Sequence, residues 1–173
     1  MTKIIIGEKI NTTSPKRVEW TEEERELLPT VIDELIEVCK ERNAVGLSAT
    51  QLGYNLQVFV IKNWTEYSVY INPRIVYESP ELAQATEICL SFPGLAVKVN
   101  RPYSIRVRYQ TINGETKTGN LEGGPARLFQ HEMSHMNGKA FWDDANFFNR
   151  NKAIKDWKSI KRKLSNTSSG LPL

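Results

Sequence analysis

Val31, Ile32, Leu35, Val38 and Cys39 recur at the helical period, so they share one face and predict a helix over about Pro29–Arg42. Pro29 suits a first turn, where its missing N–H is not needed, and Thr21 followed by Glu24 fits a capping box upstream of it. The pattern then turns to β-branched and aromatic runs. Gln57–Lys62 and Ser68–Val76 read as strands. Asn72-Pro73 interrupts the second and predicts an edge or bent strand, since proline cannot donate to a ladder. Ile105, Val107 and Tyr109 alternate with Arg106, Arg108 and Gln110, giving a strand with one wet face, and Asn113-Gly114 offers a type I′ turn into its partner. Gly123-Gly124-Pro125 and Gly138 bracket a later helix from about Pro125 to Asn137. Strands early and this helix late, with no β-α-β alternation, predict an α+β fold: antiparallel strands around a central helix in a single domain.

Composition narrows the class without changing that picture. The chain has 173 residues, 40% of them hydrophobic and 25% charged, enough to bury one core without disulfide staples. A net charge of +3 is too small to make nucleic acid the main partner, so no DNA is expected. The longest uncharged stretch, 43–61, is broken by Ser48, Thr50, Gln51, Asn55 and Gln57 and predicts no membrane span. The opening MTKIIIGEKI has too short an apolar run for a signal peptide, so a cytoplasmic protein is expected. Charge is nevertheless uneven. Residues 150–164 hold seven basic side chains and one acidic, leaving the rest of the chain at −3. That contrast divides the chain into a catalytic body, 1–149, and a basic helix with a disordered Ser/Thr/Gly-rich tail, 150–173.

The reactive residues are scarce: two Cys and two His. Both histidines fall in the later helix, in Gln130-His131-Glu132-Met133-Ser134-His135. At i and i+4 they project from one face, the spacing at which two imidazoles hold one metal ion, with Glu132 as a candidate base. A catalytic metal takes a third protein ligand and leaves a position for water. Asp143 and Asp144, within two helical turns, are candidates, and so is Cys89 in Glu87-Ile88-Cys89-Leu90-Ser91. Cys39 lies on the apolar stripe of its helix and reads as core.

Three segments taken together resemble the signature motifs of peptide deformylase, in that family's order: Val45-Gly46-Leu47-Ser48-Ala49-Thr50-Gln51, then Glu87-Ile88-Cys89-Leu90-Ser91, then Gln130-His131-Glu132-Met133-Ser134-His135-Met136-Asn137-Gly138. The resemblance implies that Cys89, His131 and His135 hold the metal. It implies further that Glu132 is the general base and acid, and that the Gln51 side chain and Leu90 N–H steady the oxyanion. Gly46 and Glu87 would then lie beside the bound peptide, Val45 and Leu128 would form the pocket for the formylmethionine side chain, and Arg101 would touch the peptide backbone or carboxylate. By the same resemblance the substrate is the formylated N terminus of a nascent polypeptide and the product formate. The metal is Fe(2+) in the cell, with Zn(2+), Ni(2+) or Co(2+) as substitutes, although ligand type alone favours zinc. The basic residues 150–164 would dock on ribosomal RNA.

Four positions depart from the family's usual pattern: Ala44 and Ile88 replace glycines, Ser48 an alanine, and Ser134 an aspartate. These suit a divergent, phage-type member working in a bacterial cytoplasm or that of a bacterial host. Two other readings compete: a metallopeptidase built on the H-E-x-x-H helix with a dispensable Cys89, and a catalytically weakened metal-binding homologue that docks at the ribosome.

Overall fold

The structure, a computed structural model, describes residues 4–11 and 13–167. Helix α1 spans Glu22–Arg42. Thr21 Oγ1 accepts from Glu24 N at 3.2 Å and Glu24 Oε2 from Thr21 N at 3.3 Å, so the capping box itself sets the start. Pro29 therefore lies inside the helix rather than in its first turn, and leaves the Arg25 carbonyl without its i+4 donor. Leu28, Val31, Ile32, Leu35, Val38 and Cys39 turn inward as the periodicity predicts.

Among the described residues seven strands follow: β1 (Gly46–Ser48), β2 (Val58–Asn63), β3 (Glu66–Glu78), β4 (Leu82–Ile88), β5 (Ala96–Pro102), β6 (Ser104–Gln110) and β7 (Thr116–Glu122). They form an antiparallel sheet in the order β1-β2-β3-β6-β7 and a separate antiparallel pair, β4-β5. β3 is thus central, not an edge. It is bent as expected, with the register slipping between Ile71 and Arg74, and the bulge places Pro73 where no ladder donor is required. The β6–β7 turn also differs from its prediction. Only Gly114 is left-handed, at φ 81°, and Thr111 N reaches Glu115 O across a three-residue loop. A type I′ turn would need Asn113 left-handed as well.

Helix α2 runs Gly123–Met136, two residues ahead of its predicted start. It packs Phe129 edge-on against Phe59 and Tyr70 of the large sheet and turns His131 toward a second cluster that contains Cys89, Phe92, Val97, Val99 and Phe141. The central position of this helix between the two sheets is what brings the three motifs together. Helix α3, Phe147–Thr167, crosses the boundary drawn at 149/150. Its Ala153 and Trp157 are buried in the same cluster as Cys89, so the basic helix is part of this core. The disordered tail expected after Ser165 falls mostly on 168–173, outside the described residues.

Candidate metal centre

Cys89 hangs from the end of β4, and His131 and His135 project one turn apart from α2. Their ligand atoms lie within 4.8 Å of one another, all buried, with Cys89 Sγ 3.5 Å from His135 Nε2. Burial pushes the Cys89 thiol up to about 12, helped by the charges of Glu132 and Glu87 and opposed by backbone N–H groups of Ser91 and Phe92. Burial likewise drives His135 well below its ordinary value, with His131 and Arg101 adding to it, which keeps its imidazole neutral and able to donate a lone pair. One sulfur and two imidazoles converging on a single point form a donor set that fits a divalent transition-metal ion. Asp143 and Asp144, the other candidates for third ligand, point elsewhere: Asp143 accepts from Ala140 N and Arg150, and Asp144 from Arg101 and Ser134.

Glu132 leaves α2 next to His131 and faces β1. Burial raises its carboxyl to about 8, the Glu87 charge adding to this and Arg101 opposing it. Oε2 has no hydrogen-bond partner among the described residues. Oε1 lies where a Cβ on Gly46 would sit only 2.8 Å away, so glycine at 46 gives the carboxylate its room. Gln51 is aimed by Ser48, whose N and Oγ reach Oε1 at 3.0 and 3.1 Å. That leaves Nε2 turned toward Cys89 Sγ and Ser91 Oγ, at 3.6 and 3.1 Å. The serine that departs from the usual alanine therefore adds a bond that orients this amide.

Glu87 borders the cleft as well as supporting His131, whereas Arg101 does not line it. Arg101 is only 3% exposed and its Nε and Nη2 grip the two Glu87 oxygens at 2.7 and 2.9 Å. Arg127 adds a third bond at 2.8 Å, and Glu87 Oε2 lies 3.0 Å from His131 Nδ1. Burial would raise the Glu87 carboxyl, but hydrogen bonds from Arg101 and His131 overcome it and hold the group at about 2. A carboxylate on Nδ1 leaves Nε2 free to act as a ligand nitrogen and makes it more basic. Stacking on Phe141, with ring centroids 5.2 Å apart, further fixes the imidazole. The i, i+4 spacing of the histidines was legible in the sequence, whereas these supporting contacts join residues 10 to 44 positions apart and left no local signal.

A cleft of about 790 Å³ opens over the centre, bounded by Val45, Gly46, Gln51, Ile88, Leu90, Leu128 and Glu132 among others. Val45 and Leu128 are where a side-chain pocket was expected. Ile88 stands at the rim with 75% of its surface exposed. β1 and β4 are both edge strands, so the cleft offers unpaired main chain on its two sides.

Comparison with known proteins agrees with this geometry. Residues 4–151 match the polypeptide deformylase family. Peptide deformylase of Thermotoga neapolitana is 42% identical over 113 residues, covering 65% of this chain and 69% of that protein. The chloroplastic/mitochondrial peptide deformylase 1B of Arabidopsis thaliana is 37% identical over 123 residues, 68% of this chain and 45% of that one. A plant peptide deformylase crystal structure superposes with a TM-score of 0.84 at 30% identity, covering 99% of this chain and 94% of its own. The Thermotoga maritima enzyme gives 0.77 at 35% identity, over 84% and 98%. By motif, fold and relatives alike, the chain belongs to the polypeptide deformylase family.

Proposed function

We propose that this chain is a working peptide deformylase, and that Cys89, His131 and His135 hold its metal while Glu132 moves the proton. The observation that carries the reading is the buried Glu132 carboxylate, with an oxygen unpartnered among the described residues, beside a Cys-His-His set at the floor of an open cleft. A divalent ion at that set supplies a Lewis acid and a water acidified toward neutrality. Glu132, raised to about 8, accepts a proton from the attacking water and returns it to the leaving amine. In this reading the Gln51 Nε2 donor, fixed by Ser48, and the Leu90 N–H meet the formyl oxygen as it gains charge. The peptide lies extended between the edges of β1 and β4, read through its main chain, with Val45 and Leu128 taking the methionine side chain. Glu87, Arg101 and Arg127 act behind His131.

The metallopeptidase reading, with an aspartate as third ligand, loses its support because both candidate aspartates are engaged elsewhere. For the metal we infer Fe(2+) in the cell, with Zn(2+), Ni(2+) or Co(2+) as replacements; metal analysis of anaerobically purified protein tests this. No helix among the described residues is long and apolar enough to cross a membrane, and we place the chain in the bacterial cytoplasm, where formylated nascent chains are made. The deciding experiment incubates metal-loaded protein with formyl-Met-Ala-Ser and measures formate. Wild type should release it, and Glu132→Ala and Cys89→Ala should not. A metal-replete wild type that releases none would reduce the chain to a metal-binding homologue.

A further inference from the structure

Behind His131 a chain of buried charges runs from Glu87 through Arg101 to a residue the proton-transfer scheme leaves unused. Glu87 takes two guanidiniums, Arg101 and Arg127. Asp144 supplies the second carboxylate on Arg101, while its other oxygen lies 4.0 Å from the Nζ of Lys139, an exposed and weakly held cation. It sits at the end of the 3-10 turn Phe141–Asp144, and its Oδ2 accepts from Arg101 Nη1 at 3.0 Å and from Ser134 Oγ at 3.0 Å. The Ser134 hydroxyl also lies 3.1 Å from the Gln130 carbonyl, but it has one proton for two acceptors, and the charged one is the stronger. Ser134 is one helical turn beyond His131, so the same helix face that presents the ligand also fixes Asp144. The side chain of Asp144 is 35% exposed and borders a polar cavity of about 270 Å³ lined by Asn100, Gln130, Asn137 and Lys139. Changing it therefore leaves a wet gap rather than a hole in the apolar core.

We propose that Asp144 is a positioning residue for the metal ligand His131, acting through Arg101 and Glu87 and held in place by Ser134. The proposal rests on the metal-centre reading above. With Asp144 neutral, Glu87 faces two guanidiniums alone and becomes a poorer acceptor for the His131 Nδ1–H, so Nε2 becomes a weaker ligand. Direct hydrogen-bond partners of metal ligands are worth 10–100-fold in affinity; Asp144 lies one contact further out, so an effect of about 3–10-fold is expected.

The test loads wild type, Asp144→Asn and the double variant Ser134→Asp/Asp144→Asn with Co(2+). It follows the thiolate-to-cobalt absorption and the rate at which EDTA removes the ion, with urea unfolding of each metal-free protein alongside. Asp144→Asn should lose cobalt about 3–10-fold faster at unchanged metal-free stability. The double variant, which returns a carboxylate from helix α2 to the same Arg101, should recover most of the retention. Cobalt loss from Asp144→Asn within twofold of wild type, loss explained by an equal fall in metal-free stability, or a double variant no better than the single one overturns the proposal alone. A wild type without thiolate-to-cobalt absorption overturns the metal-centre reading and this proposal with it.

Discussion

Burying a carboxyl group while leaving an oxygen without a partner opposes folding, and Glu132 carries that cost at the floor of the cleft, where we propose that it moves a proton. Its carboxyl, raised from 4.5 to about 8, binds a proton more tightly in the folded chain than in the unfolded one. Between those values the native state holds more protons, so this group makes metal-free stability fall as pH rises. Glu87, held at about 2, acts with the opposite sign in a lower window: its contribution is present above 4.5 and lost as pH falls toward 2. Glu132→Gln should therefore lower turnover by about 10²–10⁴ yet stabilise the metal-free protein at pH 8 by about 2–4 kcal/mol, with little gain at pH 4. Urea unfolding at the two pH values checks the second half; equal gains at both would refute the role of burial. Cys89, a thiol near 12 without metal, must lose its proton to become a ligand. Calorimetry of metal binding at pH 7 in buffers of different ionisation enthalpy should show at least one proton released per ion. Gly46→Ala places a methyl 2.8 Å from Glu132 Oε1 and should cut kcat about 10–100-fold, since moving a catalytic group by an ångström costs on that scale, with the metal still bound.

At the scale of elements, what the sequence disclosed depended on which physics defined each one. α1 was visible in its period, and its true start in Thr21 and Glu24, although Pro29 drew the predicted boundary inward. α2 was visible from its flanking glycines and proline and not from any period, because Gln130, His131, Glu132, Ser134 and His135 are polar and buried together. The β4–β5 pair was missed. Its first strand, Leu-Ala-Gln-Ala-Thr-Glu-Ile, carries few residues that favour strands, and only Glu87 of the seven is buried; the pairing partner at the far side of the Pro93-Gly94 turn decides it. That same pair suspends Cys89, so this residue could be proposed as third ligand by resemblance and not by local pattern. α3 was seen as a charged helix and misjudged as an appendage, because Ala153 and Trp157 are two positions among many polar ones. The Trp157 ring lies 5.1 Å from Phe92, and its Nε1 donates to Glu8 at 3.0 Å. Trp157→Ala should cost about 3–5 kcal/mol in urea unfolding, a loss no solvated helix would show.

The whole molecule is a mildly acidic body with one strongly basic helix, and packing decides which of that helix's charges are available. Lys152 is paired with Asp156, Lys161 with Glu8 and Arg150 with Asp143. Lys155, Lys158 and Arg162 have no ion pair in the described structure. At i, i+3 and i+7 they share one face of α3, opposite the face on which Ala153 and Trp157 are buried. We propose that this stripe of cations, turned away from the core and absent from the cleft lining, is the surface that would dock on ribosomal RNA. Counterion release makes this quantitative: each phosphate contact adds about 0.7–0.9 to the slope of log affinity against log salt. Replacing Lys155, Lys158 and Arg162 by Gln should therefore weaken co-pelleting with ribosomes and flatten that slope by about 2–3. Formate release from formyl-Met-Ala-Ser should stay at the wild-type rate, because none of the three borders the cleft. An unchanged slope would mean that this stripe is a solvated face and that any docking uses another surface.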